Sequence, residues 1–380
     1  MTVDEVSRTI KKTDKLHFLR LSARWDRSVV PIYEAAARGK CVPLLKTLLT
    51  SRCRNECAYC AFRAGRKCPR MTWEPRKLAE ITKNLWEEGK IMGFFLSSSV
   101  FKDSDFVTER QLETVRALRN TGYTGYVHLR LMPDVGQHYI REVIELADRV
   151  GVNLEAPNKE VFSELCPDKG GFEESVLKRL EWIVREVRGA KTETTKPKFG
   201  FAGAGVDTQM IVGAAEDNDW QHIQTTEWLY KKLGLKRVYY SGFEPVPKTP
   251  LERRSACPPS REYRLYQSSF LIRDYGFTAD SFAQIVDDKG FLPNVDPKLA
   301  FAKMNPDLFP IDLNTATYHE IVQIPQIGPV AAKKIIEARK SIKIRYAANL
   351  ERVIGANLTR RVGPYVELKD KRLTNFSKSK

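Results

Sequence analysis

The 380-residue sequence contains no apolar run of the ~18 residues that a membrane-spanning helix needs. Its polar N-terminus lacks the apolar stretch of a signal peptide. Seven cysteines, an odd number, argue against a framework of paired disulfides, and there is no long-period repeat. These absences disfavour a membrane protein, a solenoid and a disulfide-stabilised secreted domain. We expect a cytoplasmic protein with no membrane partner.

Acidic residues are scarce relative to basic ones. The chain has 63 Lys and Arg against 47 Asp and Glu, a formal net charge of +16. Residues 311–380 hold 14 basic and 6 acidic residues, so half of the excess lies in under a fifth of the chain. Such a concentration of positive charge favours a polyanionic partner such as nucleic acid. The alternative is a solvated basic surface without a partner.

Short apolar segments alternate with amphipathic stretches between about residues 41 and 250. The predicted strands cover residues 42–50, 91–99, 125–133, 150–158, 207–215 and 237–243. Apolar residues at helical spacing occupy most of the intervals. This alternation predicts an α/β fold with parallel βα units, a partial (βα)6 barrel of the TIM type. In such barrels the functional residues lie at the carboxyl ends of the strands.

Composition divides the chain into five predicted parts, of which the barrel is the largest. They are an N-terminal helical extension (1–40), the barrel (41–293), a proline-rich linker (294–310), an all-α domain (311–370) and a basic tail (371–380).

Three cysteines, Cys53, Cys57 and Cys60, lie within eight residues directly after the first predicted strand. Thiolates at this spacing can bind three irons of a [4Fe–4S] cluster and leave the fourth iron open. A structural zinc ion is the alternative, and it would need a fourth ligand. The candidates for that ligand are Cys41, Cys68, His17 and His128. The scattered cysteines are otherwise expected to be small buried apolar residues.

The segment Cys53–Cys60, with an aromatic residue at Tyr59, resembles the signature of the radical S-adenosylmethionine (SAM) superfamily. Further segments follow in the same order. Ser97–Ser99 stand where the superfamily often has Gly-Gly-Glu. Residues 209–216 resemble its G-x-I-x-G-x-x-E pattern, with Gln209 in place of the first glycine.

The resemblance implies an enzyme in which a [4Fe–4S] cluster on Cys53, Cys57 and Cys60 cleaves SAM to a 5′-deoxyadenosyl radical. No catalytic side chain is predicted beyond the cluster. An electron donor such as ferredoxin or flavodoxin is also implied. The residues implied to bind SAM are Tyr59, Ser97, Ser98, Glu155, Ile211 and Gly213.

Residues 311–340 contain two helical stretches joined by a tight turn at Pro325–Gly328. Backbone N–H groups at such a turn can bind a phosphate. The segment resembles helix-hairpin-helix modules, which bind the DNA backbone without reading its sequence, although Gln326 replaces the usual first glycine. A second hairpin is expected over 349–365, and a protein-interaction domain is the alternative. The residues implied to contact nucleic acid are Ile327, Gly328, Lys333 and Lys334.

The whole chain resembles the radical SAM proteins assigned to DNA modification or repair that carry a C-terminal helix-hairpin-helix module. The resemblance implies that a nucleotide in DNA is the substrate. Two alternatives remain open: a radical SAM enzyme that modifies RNA, such as tRNA, with DNA favoured, and a noncatalytic zinc-containing nucleic-acid-binding protein.

Overall fold

The computed structural model describes residues 32–37, 40–190 and 199–369. The predicted helical extension therefore lies outside the described residues over 1–31, and so does the predicted basic tail. The helical prediction is wrong for Ile32–Ala37, which form strand β1 antiparallel to β2 (Lys40–Leu48). The backbone of β1 pairs with the edge of β2, and this pairing outweighs local helical spacing.

The described residues contain one seven-stranded sheet whose strands follow one another in chain order. After β1 and β2 come β3 (Gly93–Ser97), β4 (Tyr126–Leu131), β5 (Arg149–Val152), β6 (Gly205–Val212) and β7 (Arg237–Gly242). β2 to β7 are all parallel and curl into a half-barrel. The predicted α/β partial barrel is confirmed, with each strand within a few residues of its expected position.

Helices connect the parallel strands, and capping residues fix where several of them begin. They are α1 (Pro75–Glu87), α2 (Ser104–Asn120), α3 (Gln137–Leu146), α4 (Lys159–Leu165), α5 (Lys178–Ala190) and α6 (Asp219–Trp228). The carboxylates of Glu74 and Asp103 accept backbone N–H bonds at the starts of α1 and α2. No helix in the described part of the chain combines the length and apolar character needed to cross a bilayer.

The described residues divide into two compact units. One comprises the residues up to Asp217 together with Trp228–Pro258, and the other comprises Asn218–Glu227 and the residues from Pro259 onward. The barrel boundary predicted at residue 293 is therefore too late. Residues 259–293 include α7 (Pro259–Tyr275) and α8 (Ala279–Ala283). They belong to the second unit because its aromatic residues pack on one another, as in the Phe277–Phe301 pair.

The predicted linker over 294–310 contains a helix, α9 (Pro297–Met304), and a 3-10 turn (Pro306–Leu308). Asp296 caps α9 by accepting from the N–H groups of Lys298 and Leu299. Two of the prolines that suggested a linker, Pro297 and Pro306, stand instead at the first positions of these two elements, where proline is favoured.

The C-terminal helices are α10 (Tyr318–Gln323), α11 (Pro329–Ala338), α12 (Ala347–Ile354) and α13 (Ala356–Val362). Their shared core contains fully buried aliphatic side chains, including Leu313, Ile321, Ile324, Ile327, Ile335 and Leu350. The helix pair expected over 349–365 is formed by α12 and α13, which meet at Gly355.

Candidate active site and nucleic-acid interface

A cavity of about 250 Å³ lies where the loops leave the carboxyl ends of the parallel strands. Most of the residues predicted for the cluster and for SAM line it, namely Cys53, Cys57, Cys60, Tyr59, Ser97, Ser98, Glu155 and Ile211. Gly213 is not part of the lining. Its N–H donates to the Asp217 carboxylate at 3.0 Å. The structure therefore brings the three cysteines together with residues that are distant in the sequence and lie at the ends of other strands.

The loop that carries the three cysteines is closed at its base. Thr50 and Thr72 form an isolated antiparallel bridge, and their hydroxyl oxygens are 2.6 Å apart. The Ser51 N–H donates to the Met71 carbonyl at 2.9 Å. Both ends of the loop are therefore tied to one another next to β2, independently of any bound metal.

Arg70 fixes the interior of this loop. Its guanidinium donates to four backbone carbonyls, those of Ser51 (2.8 Å), Phe62 (2.6 Å), Arg63 (2.6 Å) and Arg66 (3.1 Å). The planar fork of arginine can serve several acceptors at once, which a lysine ammonium does less well. Sequence reasoning missed Arg70, because the four carbonyls become neighbours only when the loop folds.

Backbone N–H groups point at two of the predicted cluster ligands. The Asn55 N–H donates to Cys53 Sγ and the Phe62 N–H donates to Cys60 Sγ, both at 3.4 Å. Burial raises the pKa of Cys53 and raises that of Cys60 to about 12. The N–H···S bonds oppose this effect and favour the thiolate form that binds iron.

Cys57 has different neighbours. A hydrogen bond with the buried Cys166 thiol lowers the pKa of Cys57. Burial disfavours the charge of Lys169, but the nearby Cys57 and Glu155 raise the pKa of Lys169 well above its usual value. Cys166 is buried as expected, yet it also contacts a predicted cluster ligand.

Glu155 directs a carboxylate into the cavity from a strained position. Its φ is +66°, and its backbone is held by bonds with Gln209 and Ile211 of β6. Its Oε1 accepts from Lys169 Nζ at 2.6 Å, whereas the buried Oε2 has no partner among the described residues. A buried acceptor of this kind fits a ligand that donates, such as the ammonium or ribose hydroxyl of SAM. The three thiols therefore fit the expected [4Fe–4S] cluster, and this acceptor fits the expected SAM.

The zinc alternative lacks a complete ligand set in the described part of the chain. No three or more His, Cys, Asp and Glu side chains there are arranged to hold a single metal ion. His128 Nε2 is 3.1 Å from Asp207, and Cys68 donates to the Ala61 carbonyl at 3.6 Å. His17 and the side chain of Cys41 lie outside the described residues.

The hairpin turn between α10 and α11 places backbone N–H groups at the start of α11, and two lysines follow in that helix. Gln326 takes the left-handed conformation, with φ +70°, that glycine usually provides. Gly328 caps α11 without a side-chain bond, and Lys333 and Lys334 are exposed further along that helix. The Ile327 side chain is fully buried, so only its main chain can contact a ligand.

A buried lysine supports this turn from α9. Lys298 is 7% exposed, and its Nζ donates to the Ile327 carbonyl. The same ammonium lies 4.8 Å from the centre of the Tyr275 ring. Burial lowers the pKa of Lys298 to about 7. Sequence reasoning missed this residue because it lies in the segment that was expected to be a linker.

Comparison with protein families gives two matches. Residues 47–195 match the Radical SAM superfamily model, and residues 309–355 match the helix-hairpin-helix motif model. The first match spans the cysteine loop and the second spans the hairpin turn. No curated protein matches the chain.

Several solved structures are similar to this chain at low sequence identity. The FeFe-hydrogenase maturase HydG from Carboxydothermus hydrogenoformans is 14% identical with a TM-score of 0.48, covering 69% of this chain and 56% of that chain. Methylornithine synthase PylB is 15% identical with a TM-score of 0.46, covering 72% and 73%. The radical S-adenosylmethionine methyltransferase TsrM from Kitasatospora setae is 13% identical with a TM-score of 0.40, covering 54% and 38%. This chain spans less than two thirds of the HydG chain.

Proposed function

We propose that this chain, a radical SAM enzyme with a C-terminal helix-hairpin-helix motif, modifies or repairs a nucleotide in DNA. Its cofactors are a [4Fe–4S] cluster and SAM. The observation that carries the proposal is that one chain combines a cavity lined by three cysteines with a basic hairpin module. Neither feature alone points to a radical reaction on nucleic acid.

In this proposal Cys53, Cys57 and Cys60 hold the cluster. When reduced, the bound cluster supplies the electron that cleaves SAM to a 5′-deoxyadenosyl radical. Arg70 fixes the backbone on both sides of the three cysteines, at Ser51 before them and at Phe62 after them. An electron donor such as ferredoxin or flavodoxin completes the system. We place the enzyme in the cytoplasm, where free thiols stay reduced.

The SAM site is assembled from several strand ends. Glu155 Oε2 accepts a hydrogen bond from SAM, and the partly exposed Tyr59 forms part of the wall next to the cysteines. Ile211 offers an apolar surface for adenine. The remaining proposed contacts come from Ser97, Ser98 and the main chain at Gly213.

The hairpin module holds the nucleic acid by its phosphates. The uncapped N–H groups at the start of α11 and the turn at Ile327 and Gly328 suit a phosphate oxygen. Lys333 and Lys334 add charge that does not depend on sequence. We favour DNA over RNA because the turn matches a motif typical of DNA-backbone binding. The cavity then acts on a single nucleotide, which is most accessible when flipped out of the stack.

The test begins with anaerobically purified protein. We expect about four irons per chain and an absorption band near ~400 nm. The protein is then incubated with SAM, dithionite and either duplex DNA or tRNA at matched salt, and the nucleosides are analysed by mass spectrometry. We expect a new nucleoside mass and 5′-deoxyadenosine with DNA.

Matched cysteine variants control this test. Cys57→Ala should lose iron and 5′-deoxyadenosine formation, whereas Cys68→Ala, outside the cavity lining, should keep both. Modification of tRNA instead of DNA would show that the enzyme modifies RNA. Zinc without iron would leave only a noncatalytic nucleic-acid-binding protein.

A further inference from the structure

A hydrogen-bond donor lies beside the sulfur of each proposed cluster ligand, and the donor at Cys57 differs from the other two. Those at the other two ligands are backbone N–H groups of the cysteine loop itself. Cys57 is hydrogen-bonded instead to the side chain of Cys166, which is distant in the sequence. A backbone donor persists when a side chain is changed, whereas a side-chain donor depends on the residue at that position. The contribution of Cys166 can therefore be removed by substitution.

The backbone on both sides of Cys57 is joined to the segment that contains Cys166. The N–H group of the residue before Cys57 donates to the Asp168 carboxylate at 2.7 Å. The N–H group of the residue after it donates to the Leu165 carbonyl at 2.8 Å. The contact between the two sulfurs is therefore held by hydrogen bonds on either side of it and does not depend on the thiols alone.

Cys166 stands at the end of α4 in a fixed backbone position. Its N–H donates to the Phe162 carbonyl at 2.8 Å, and its carbonyl accepts from the Lys169 N–H at 3.1 Å. The side chain is fully buried, and burial favours the neutral thiol over the charged thiolate. Cys166 is not part of the cavity lining, whereas Cys57 is. Cys166 is therefore placed to donate to the sulfur of Cys57 rather than to act as a further ligand.

Three charged groups also face Cys57, and they belong to Lys169, Glu155 and Asp168. The Lys169 ammonium donates to Glu155 Oε1 at 2.6 Å. Asp168 accepts the loop N–H bond described above. All three stay in place when only Cys166 is changed, so the effect of its thiol can be measured separately from theirs.

We propose that the Cys166 thiol donates a hydrogen bond to the Cys57 sulfur in the loaded enzyme and thereby raises the reduction potential of the cluster. The reduced state carries one more negative charge than the oxidised state, so a donor to a ligand sulfur stabilises it more. The electron comes from the reduced external donor, and the thiol keeps its proton. Cys166 thus acts through Cys57 as a positioning residue. This role rests on the proposed function, because it requires Cys57 to be a cluster ligand.

The experiment is an anaerobic redox titration of the full-length reconstituted protein, followed by electron paramagnetic resonance. Cys166→Ala removes the donor. Cys166→Ser keeps a donor as a hydroxyl, so it separates the hydrogen bond from the effect of side-chain volume. Cys257→Ala is the matched control, because it truncates another buried cysteine outside the cavity lining. Iron and protein are assayed in every sample.

We expect Cys166→Ala to shift the equilibrium toward the oxidised cluster at least about threefold, which lowers the potential by about 28 mV at about 59 mV per tenfold change. The shift is small because a thiol is a weak donor. Cys166→Ser should not fall below the parent, and Cys257→Ala should stay within about 1.5-fold of the parent equilibrium. All four proteins should bind the same amount of iron.

The proposed role of Cys166 is overturned if Cys166→Ala keeps the parent potential or if Cys166→Ser shifts by as much as Cys166→Ala. Loss of iron from either variant would also overturn it, because Cys166 would then be needed to hold the cluster. A lowered potential in Cys166→Ala, together with modification of neither DNA nor RNA by the parent, would keep this role and contradict the proposed function. A parent protein that binds no cluster would overturn both.

Discussion

The shape of the cysteine loop depends on one side chain, Arg70. It supplies donors to four backbone carbonyls of the loop, of which that of Arg63 also accepts from the Arg66 N–H. Each unpaired buried carbonyl costs about 1–3 kcal/mol. A loop that must present three thiols before any metal arrives therefore relies on arginine at this position.

We predict that Arg70→Lys lowers the iron bound after reconstitution at least about twofold, because an ammonium cannot serve all four carbonyls in this geometry. Iron and protein assays on the same samples measure the ratio. Arg76→Lys on exposed α1 is the control and should bind iron normally. Normal iron content in Arg70→Lys would mean that the cluster itself organises the loop.

Lys298 is a second residue whose surroundings have a measurable consequence. Its pKa is about 7 in the folded protein, below the usual lysine value of 10.5. Between these two pH values the unfolded chain binds more protons than the folded chain. The free energy of unfolding contributed by this group therefore rises with pH across that window.

We predict that raising the pH from about 7 to about 9 stabilises the wild-type protein relative to Lys298→Met, by at most about 1.4 kcal/mol per pH unit. Chemical denaturation at each pH measures the difference. Methionine cannot titrate, so the variant should lack this part of the pH dependence. Parallel pH profiles for the two proteins would show that Lys298 titrates normally.

At the scale of elements, the hairpin turn departs from its motif at a single position. Gln326 is exposed and holds φ +70°, a conformation that costs an L-residue about 1–2 kcal/mol. The fully buried Ile324 and Ile327 on either side keep the turn in this shape. Packing of the two helices therefore stabilises a turn that the local sequence disfavours.

Gln326→Gly should raise the free energy of unfolding by about 0.5–1 kcal/mol, since the relief of strain exceeds the added freedom of the unfolded chain. Gln326→Ala keeps the strain and serves as the control, with no expected gain. Denaturant titrations of the three proteins provide the comparison. Equal stability of the glycine and alanine variants would contradict the role of backbone strain.

The parallel strands were predictable because each apolar segment is followed by its own helix and turn signals. Strand β1 was not predictable, because its conformation depends on pairing with β2 rather than on its own residues. The helix over Pro297–Met304 was missed because proline favours both linkers and helix starts. The cysteine spacing located the cavity, but the ion pair of Glu155 with Lys169 depends on the folded chain.

At the scale of the whole molecule, the two family matches fall in different compact units. The cysteines lie in the first unit and the hairpin lies in the second. Each unit has its own buried residues, so we expect a single substitution in one unit to leave the core of the other intact. The proposed chemistry and the proposed binding are therefore separable by substitution.

We predict that Cys57→Ala abolishes SAM cleavage and leaves the affinity for duplex DNA within about twofold of the parent. Lys333→Glu with Lys334→Glu should do the reverse, weakening DNA binding and reducing the salt slope by about 1–2. SAM cleavage without DNA should persist in that variant. Binding titrations at several salt concentrations test both statements, and equal loss of binding in the two variants would refute the separation.

The closed base of the cysteine loop has a consequence for the loss and rebuilding of the cluster. Thr50 and Thr72 join the loop ends through protein atoms alone. Oxidative loss of the cluster should therefore leave the two ends of the loop joined, so that the three thiols stay close together for a new cluster to be built.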